Sequence, residues 1–321
     1  MKILVTGGAG FIGSNVADGF IAQGYQVVVV DDLSSGYERN VPDRAIFYQV
    51  DITDEGLEEV FQKEHPDTVV HHAAQIDVRK SIEDPMYDAR VNVLGSLNVI
   101  RQSLRHGVKK IIYASTGGAV YGEPEYLPAD EDHPIRPLCQ YGVTKHTVEH
   151  YLYLYRHHYD LDYTVLRYPN VYGPRQDPLG EAGVVAIFTE ALMHGRRPTI
   201  YGDGTHTRDY VFVGDIAAAN RLALQRGGGR ILNLGWGREI SVNDIFKALK
   251  KNLSSDVEPI YGEERLGEIH RICLDSSRAR EALGWKPEVS LDQGIGRTVE
   301  YYRRHPDQMS TARSKNPVEG N

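Results

Sequence analysis

The chain has 321 residues, a net charge of −8 and 41% hydrophobic residues, enough apolar material for a sizeable core. Its acidic balance argues against nucleic-acid binding, because phosphate backbones are held by clustered Lys and Arg. No run of 18 apolar residues could span a membrane, and Cys139 and Cys273 cannot build a disulfide framework. Composition therefore predicts a cytoplasmic protein of about two lobes, and it leaves the function open.

The first half of the chain alternates apolar, β-rich runs with helical patterns. Strands are predicted at 2–6, 26–30, 45–50, 68–71, 110–114 and 163–168. Helices are predicted near 12–23, 54–63, 87–105 and 141–159. Apolar strands that alternate with helices form parallel sheets covered on both faces. We therefore predict an α/β fold with a Rossmann-like, doubly wound sheet over residues 1–173.

After residue 173 the pattern loosens and turn-rich stretches separate the predicted elements. Helices are predicted near 183–194, 215–225, 242–251, 276–283 and 291–303. We expect a smaller C-terminal α/β lobe over 174–306 that binds the substrate, with the chain passing back to the sheet on the way. Residues 307–321 are polar and aperiodic, which predicts a disordered tail.

A glycine-rich turn follows the first predicted strand and opens the first predicted helix. Gly7, Gly10 and Gly13 permit a tight turn, close approach to a pyrophosphate and close packing of helix on strand. The helix beginning around Phe11 and Ile12 then offers free N–H groups to an anion. An ordinary tight turn would share this spacing, but the strand before it and the helix after it favour dinucleotide binding.

Acidic residues end the second and third predicted strands. Asp31 lies 18 residues after Gly13, where a carboxylate can bind the adenosine ribose and repel a 2′-phosphate, so NAD is favoured over NADP. Asp32 is a second candidate, and the alternative for both is a turn cap. Asp51 and Ile52 could bracket the adenine, with Asp51 as a helix cap the alternative.

Tyr141 and Lys145 are four residues apart and share one face of a predicted helix. An ammonium beside a phenol favours the phenolate, which can take a proton from a sugar hydroxyl while hydride leaves the same carbon. Such a pair is common by itself on helix surfaces. The glycine turn and the hydroxyls of Ser115 and Thr116, at the carboxyl end of the fifth predicted strand, favour a catalytic role.

A series of further motifs carries a resemblance that runs from residue 1 to about 304. The motifs are TGGAGFIGS (6–14), DDLSSG (31–36), VDITD (50–54), HHAA (71–74), VNVLGS (91–96), STGGAVYG (115–122), YGVTK (141–145), LRYPNVYGPRQDP (166–178), TRDYVFVGDIA (207–217), RLGE (265–268) and LGW (283–285). In this order they resemble the extended short-chain dehydrogenase/reductase family, and within it the UDP-glucose 4-epimerases. The resemblance implies NAD-dependent interconversion of UDP-glucose and UDP-galactose through a 4-keto sugar.

The resemblance also implies roles for individual residues. Those at the cofactor are Ala73, Ala74, Asn92 on its nicotinamide side, Ser115, Tyr141, Lys145 and Tyr168 in the pocket wall. Those at the substrate are Thr116, Tyr141, Asn170 at the diphosphate, Arg208 and Arg265 as a clamp on UDP, and Glu268 at the uridine ribose. Ile272 takes the position where family members vary the pocket size. A homodimer through helices 87–105 and 141–159 is the expected assembly.

The loop after the fifth strand departs from the family pattern in two ways. Many relatives have Ser or Thr where this chain has Gly117, so we assign the catalytic hydroxyl to Thr116 and leave Ser115 as the alternative. Related dehydratases and decarboxylases have carboxylates where this chain has Gly118 and Ala119. Their absence favours epimerisation, which needs only oxidation, rotation of the keto sugar and re-reduction.

Other functions stay open at this point. One is a different nucleotide-sugar enzyme of the family, such as a UDP-glucuronate 4-epimerase or a 4-ketosugar reductase. A more remote one is a non-catalytic dinucleotide sensor, which would need the glycines but not the Tyr–Lys pair. His146, Glu149 and His150 also spell a zinc-peptidase pattern, but we expect no metal there. Packing explains the tyrosines of the same helix better than base stacking does, namely Tyr151, Tyr153, Tyr155 and Tyr159.

Overall fold

The computed structural model describes residues 1–178, 183–264 and 269–309. Its strands are β1 (Lys2–Thr6), β2 (Gln26–Asp31), β3 (Ile46–Gln49), β4 (Thr68–His71), β5 (Lys110–Thr116), β6 (Asp162–Tyr168), β7 (Asn170–Tyr172), β8 (Thr199–Tyr201), β9 (Thr207–Arg208), β10 (Tyr210–Phe212), β11 (Arg230–Asn233), β12 (Ile240–Ser241) and β13 (Ile260–Gly262). Its α-helices are α1 (Phe11–Ala22), α2 (Gly56–Glu64), α3 (Val78–Glu83), α4 (Pro85–Ala89), α5 (Ser96–Arg105), α6 (Gln140–Tyr159), α7 (Val184–Met193), α8 (Val213–Ala223), α9 (Val242–Leu253), α10 (Ser277–Leu283) and α11 (Leu291–Arg304). None of the helices in these ranges combines the length and apolarity needed to cross a bilayer.

The central sheet has seven strands in the order β11-β6-β5-β4-β1-β2-β3, and every neighbouring pair is parallel. The strand order reverses between β1 and β4, so the connections on either side leave toward opposite faces. In such sheets the ligand crevice lies at the carboxyl ends of the two strands where the order reverses, which here are β1 and β4. The predicted doubly wound, Rossmann-like fold is confirmed.

Both faces of the sheet are covered because its central strands are apolar on both sides. In β1, Ile3 and Val5 belong to one buried cluster and Leu4 belongs to the other. The first cluster includes apolar residues of α1, α8 and α10, and the second includes those of α2, α5 and α6. Each fully buried aliphatic side chain contributes about 1.5–3 kcal/mol, so these faces hold the site's strands in place.

Outside the central sheet, the described residues after β6 form short strand pairs and three helices, α7, α9 and α11, that share a buried cluster. β7 pairs with β10, β8 with β13 and β9 with β12. A third buried cluster joins α7, α9 and α11 to β7 and β10. As the sequence predicts, the chain also returns to the sheet: β11 pairs with β6, and α8 and α10 pack on one face.

Two predicted segments differ from the structure. The helix predicted over 87–105 is interrupted: α4 passes into a π-helical turn, Arg90–Gly95, and only then into α5. Such turns recur at functional sites, and this one contains buried Asn92. Residues Pro306–Met309 form a 3-10 turn, so the disordered tail predicted from residue 307 is wrong up to 309. The rest of that tail lies outside the described residues.

Candidate active site

The glycine turn between β1 and α1 has the shape that a pyrophosphate needs. Gly7 has a φ of +69°, and a Cβ there would lie 2.6 Å from the backbone nitrogen of Ala73, across the crevice. A Cβ on Gly13 would lie 2.2 Å from the carbonyl oxygen of Gly7. At Gly10, where α1 begins, no side chain caps the helix and the first turn carries no acid, so its N–H groups fit an anion.

Gly13→Ala is expected to lose bound dinucleotide and about 1–3 kcal/mol of stability, because its Cβ would push the turn away from the helix. The measurements are the NAD content of the purified protein and its melting temperature. Gly19→Ala is the matched control on the same helix, since its Cβ would meet nothing closer than Ala217 Cβ at 3.7 Å. Equal NAD content in the two variants would refute the assignment of the turn.

Asp31 connects the end of β2 to the glycine turn. Its carboxylate accepts hydrogen bonds from the backbone N–H groups of Ala9 and Leu33, each at 2.9 Å. Burial raises the pKa of Asp31, although these N–H groups oppose the rise. The predicted ribose ligand is thus held rigidly beside the turn. Asp32 is exposed, and its Oδ1 accepts from the N–H and hydroxyl of Ser34, which matches the turn-cap alternative.

Asp51 and Ile52 follow β3. The Oδ1 atom of Asp51 accepts from the backbone N–H and the hydroxyl of Thr53 at 2.7 and 2.9 Å. Because α2 begins only at Gly56, Asp51 does not cap a helix. Ile52 is 4% exposed and packs in the second cluster, where a Cβ on Gly95 would meet its Cδ1. Contact of this pair with adenine stays a prediction.

Asn92 is buried in the π-helical turn, and its side-chain amide forms hydrogen bonds with neighbouring protein groups. Its Oδ1 accepts from the N–H of Gln75, and its Nδ2 lies 3.0, 3.0 and 3.2 Å from Gln75 O, Asp88 Oδ1 and Thr144 Oγ1. It therefore ties the segment after β4, which includes half-buried Ala74, to Thr144 of α6. The resemblance places Asn92 at the nicotinamide, and the structure adds this anchoring role.

The loop after β5 packs directly on the first turn of α6. A Cβ on Gly142 would lie 2.6 Å from the carbonyl oxygen of Ala119, so only glycine permits this approach. Tyr141 is half-buried at the adjoining position of the helix, and Thr116 is half-buried at the last position of β5, where the loop begins. This contact packs the turn of α6 that carries Tyr141 against the loop that follows Thr116.

Lys145 lies one turn further along α6 and is 3% exposed. Its Nζ is 4.3 Å from the centre of the Tyr113 ring. Burial lowers the pKa of Lys145 to about 7, and the charges of Glu149 and Asp88 oppose that change. Lys145 lies one helical turn from Tyr141, and a pKa shifted by burial in this way is typical of functional acid–base sites.

A buried ion pair between Glu149 of α6 and Arg167 of β6 anchors α6 to the central sheet. Arg167 of β6 donates two hydrogen bonds to the carboxylate of Glu149 at 3.0 and 2.6 Å, and a third to Tyr121 Oη at 2.8 Å. Ser115 and His146 add bonds to the same carboxylate at 2.6 and 3.0 Å. Burial opposes ionisation of Glu149, but these bonds and the Arg167 charge lower its pKa to about 2. Because the Glu149 carboxylate is already paired with Arg167, it is poorly placed to take part in a zinc site with His146 and His150.

This network distinguishes between the two candidates for the catalytic hydroxyl, Ser115 and Thr116. Ser115 is 3% exposed and its hydroxyl donates to Glu149, away from the crevice. Thr116 Oγ1 and Asn170 Oδ1 lie 3.9 and 3.8 Å from the point that a Cβ on Gly118 would occupy. Thr116 therefore lies with the predicted diphosphate ligand, and Ser115 does not.

Thr116→Val is expected to lower kcat by about 10²-fold, because it removes the hydroxyl and keeps the side-chain shape. Ser115→Ala is expected to cost about 1 kcal/mol of stability with kcat nearly unchanged, since its hydroxyl serves Glu149. Steady-state kinetics and melting curves of both variants, with Thr116→Ser as a rescue, check this assignment. The reverse pattern would make Ser115 the catalytic hydroxyl.

Of the remaining predicted site residues, Tyr168 and Arg208 lie in the described part of the chain and two others do not. Tyr168 is 6% exposed, and its hydroxyl bonds His72 Nε2 and Asn220 Nδ2 at 3.0 and 2.8 Å, so its ring is fixed at the carboxyl end of β6. Arg208 is half-buried on β9 and donates to the carbonyl of Thr207. Arg265 and Glu268 lie outside the described residues.

Ile272 is buried beside the active-site loop. It is 2% exposed and packs in a small cluster with Val120, Tyr121, Ala129 and Leu274. This position connects the pocket-size residue implied by the resemblance to the loop that carries Thr116.

Sequence reasoning missed Asp209 and the Glu149–Arg167 pair. Asp209 accepts from the backbone N–H groups of Trp236, Gly237 and Leu274 and so fixes the segment that carries Arg208. Burial raises its pKa to about 6 against these N–H groups. In the sequence, the first is marked only by an acidic residue next to Arg208, and the ion pair only by an arginine inside an apolar central strand.

The cradle on one side of the crevice and the Tyr141–Lys145 pair on the other define a class: enzymes that carry out redox chemistry with a bound dinucleotide. A family model described as the NAD dependent epimerase/dehydratase family matches residues 3–235. The chain belongs to this family. The resemblance drawn from the motifs is confirmed, and with it NAD as the family's cofactor.

Individual relatives are similar over nearly the whole chain. A putative UDP-glucose 4-epimerase of Methanocaldococcus jannaschii is 48% identical over 94% of this chain and 99% of its own. A crystal structure of the Thermotoga maritima UDP-glucose 4-epimerase with UDP-glucose is 49% identical, covers 95% of this chain and 100% of its own, and gives a TM-score of 0.93. The Thermus thermophilus UDP-glucose 4-epimerase with NAD is 43% identical, covers 94% and 99%, and gives 0.89.

Proposed function

We propose that this chain is an NAD-dependent UDP-glucose 4-epimerase, which interconverts UDP-glucose and UDP-galactose through a transient 4-keto sugar. One observation carries the proposal: the loop on the first turn of α6 offers Thr116 but has Gly118 and Ala119 where elimination or decarboxylation would need a carboxylate. The chain's own groups can exchange one proton, and NAD would accept and return the hydride when bound. The relatives named UDP-glucose 4-epimerase support the same reaction.

In the proposed mechanism the chain's own groups handle the proton. NAD, when bound, supplies the hydride acceptor and donor. Tyr141 accepts the proton of the sugar 4-hydroxyl and later returns it to the 4-keto oxygen. Thr116 hydrogen-bonds that oxygen, and the Lys145 ammonium stabilises the Tyr141 phenolate. Between the two steps the keto sugar turns its other face to the cofactor, so no net oxidation results.

The proposed binding roles follow the crevice. The glycine turn holds the cofactor pyrophosphate, Asp31 its ribose, and Ala73 borders it across from Gly7. Asn170 and Arg208, with Arg265 and Glu268, bind the UDP moiety, since an arginine fork matches phosphate oxygens. We also propose the division into an NAD-binding domain over 1–173 and a substrate lobe over 174–306.

The deciding experiment supplies UDP-galactose, UDP-N-acetylgalactosamine or UDP-glucuronate to the purified protein without added cofactor. We expect conversion of UDP-galactose to UDP-glucose, detected by chromatography or NMR, with no net change in the amount of NAD(H). Turnover of UDP-glucuronate alone would favour the uronate 4-epimerase instead. A requirement for stoichiometric NAD(P)H would indicate a reductase, and no turnover of any sugar would indicate a sensor.

We further propose a cytoplasmic homodimer that packs through α5 and α6. Val143 and Leu154 of α6 are 49% and 43% exposed and lie on one stripe of the helix, and Leu94 before α5 is 60% exposed. Leu154→Glu is expected to convert a dimer to a monomer in light scattering, because a carboxylate would be buried without a partner. Lys247→Glu on α9 is the control, and equal masses for both variants would contradict this interface.

A further inference from the structure

Three potential metal ligands outside the active site converge on one surface of the smaller lobe. His206 Nε2 lies 3.0 Å from Glu264 Oε1, and His270 Nδ1 lies 3.9 Å from the same oxygen. The two imidazole rings are 4.7 Å apart between centres. All three ligand atoms lie within 4.8 Å of one another, and in the described part of the chain this is the group that meets that condition.

Backbone pairing, rather than chance side-chain contact, brings these residues together. Thr207 and Arg271 form a parallel bridge, and the N–H of Thr207 donates to the carbonyl of His270 at 3.0 Å. His206 and His270 each precede a bridged residue by one position, so their side chains lie side by side. The third residue, Glu264, follows β13, whose parallel pairing with β8 places it over the turn at Gly202.

We propose that His206, Glu264 and His270 form a binding site for a divalent transition-metal ion, with Zn²⁺ as the best match. Two imidazoles and one carboxylate are a recognised zinc set that leaves a fourth position for water. Zinc bonds of about 2.0–2.2 Å in a tetrahedron put ligand atoms roughly 3.3–3.6 Å apart. The observed separations from Glu264 Oε1 are 3.0 and 3.9 Å, and the two histidine atoms lie within 4.8 Å of each other.

The surroundings allow a cation to enter and remain. His206 is 17% exposed, whereas Glu264 and His270 are 53% and 64% exposed, so the ligands are reachable from solvent on one side. The neighbouring guanidinium of Arg271 does not add free positive charge, because Glu239 holds it with bonds of 2.7 and 2.6 Å. The ion would link three chain segments that are otherwise joined by short strand pairs.

This site shares no residue with the Tyr141 pair, the glycine turn or the proposed UDP ligands, although Glu264 directly precedes Arg265 in the sequence. His206 lies two positions before Arg208, so a bound ion would also stiffen the segment that carries that arginine. A ligand that binds only the folded state raises its melting temperature, which gives a readout separate from turnover.

In the experiment, ZnSO₄ is titrated into the untagged, EDTA-treated holoprotein and binding is measured by calorimetry. A second titration uses Co²⁺ and is monitored by visible absorption. We expect one equivalent per chain, a tetrahedral Co²⁺ spectrum and a rise in melting temperature with Zn²⁺. Changes outside the first ligand shell already cost 10–100-fold in affinity, so His206→Ala and His270→Ala should each lose at least about 100-fold. Glu264→Gln should weaken binding in the same direction.

The matched control is His157→Ala/His158→Ala, which removes an exposed pair of adjacent histidines on α6. It should bind Zn²⁺ like the unsubstituted protein. A second control, His150→Ala, removes one member of the His146–His150 pair, whose Nε2 atoms lie 3.0 Å apart. No binding to the unsubstituted protein, undiminished binding to His206→Ala, or loss of binding in either control would overturn the proposal.

Discussion

Tyr141→Phe is expected to lower kcat by about 10²–10⁴-fold, because the variant retains the ring but loses the group that exchanges a proton with the sugar. NAD should remain bound, since the glycine turn and Asp31 that hold it are unchanged. The measurements are initial rates with UDP-galactose at saturating concentration and the NAD released from the denatured protein. A loss in kcat with little change in KM would show that the hydroxyl acts in the chemical step.

Tyr159→Phe is the matched control, because Tyr159 lies on the same helix and is 58% exposed. It should turn over at the rate of the unsubstituted enzyme. Turnover of Tyr141→Phe within a few-fold of normal would remove this residue from the mechanism. Loss of NAD together with activity would instead assign Tyr141 a role in holding the cofactor.

The parts of this molecule that the sequence predicts well have local causes. The bounds of β1 and β4 are predicted to the residue, because short apolar runs between turn residues have few alternatives. The glycines of the turn stand out in the sequence because the positive φ at Gly7 and the 2.2 Å contact at Gly13 make any larger residue strained there. The position of Tyr141 and Lys145 on one face of α6 follows from their spacing, whereas their catalytic role rests on the glycine turn and the hydroxyls and stays a prediction.

The parts that were missed depend on contacts between distant segments. The two-residue strands β9 and β12 have no periodicity to detect. Glu149 belongs to a local zinc-peptidase pattern, and only the position of Arg167 across the sheet shows that the carboxylate is used as an ion pair. His206 and His270 are 64 positions apart, and a backbone bridge joins their segments.

Removing one partner of the Glu149–Arg167 pair is expected to cost about 3–5 kcal/mol, because the remaining charge would be buried without compensation. Both side chains are at most 3% exposed, so water cannot replace the missing partner. Arg167→Met should therefore unfold at much lower urea concentration than the unsubstituted protein. Its KM for the sugar should change less than its stability, since the pair lies behind the catalytic helix.

Two further variants test whether burial is the cause. Arg304→Met breaks the exposed pair with Glu300 at 2.6 Å and should cost no more than about 1 kcal/mol, because solvent screens such pairs. The double variant Glu149→Leu/Arg167→Met should recover most of the loss, since two apolar groups leave no buried charge. A double variant as unstable as Arg167→Met would mean that packing, not the uncompensated carboxylate, sets the cost.

The same pair predicts the direction of a pH effect. The folded pKa of Glu149 is lowered to about 2 from the ordinary value of 4.5, so its stabilising contribution is complete above about pH 4.5 and is lost as the pH falls toward 2. Urea unfolding between pH 7 and 3 should show a loss in the unsubstituted protein that the double variant lacks. Parallel pH profiles would show that Glu149 does not carry this part of the acid sensitivity.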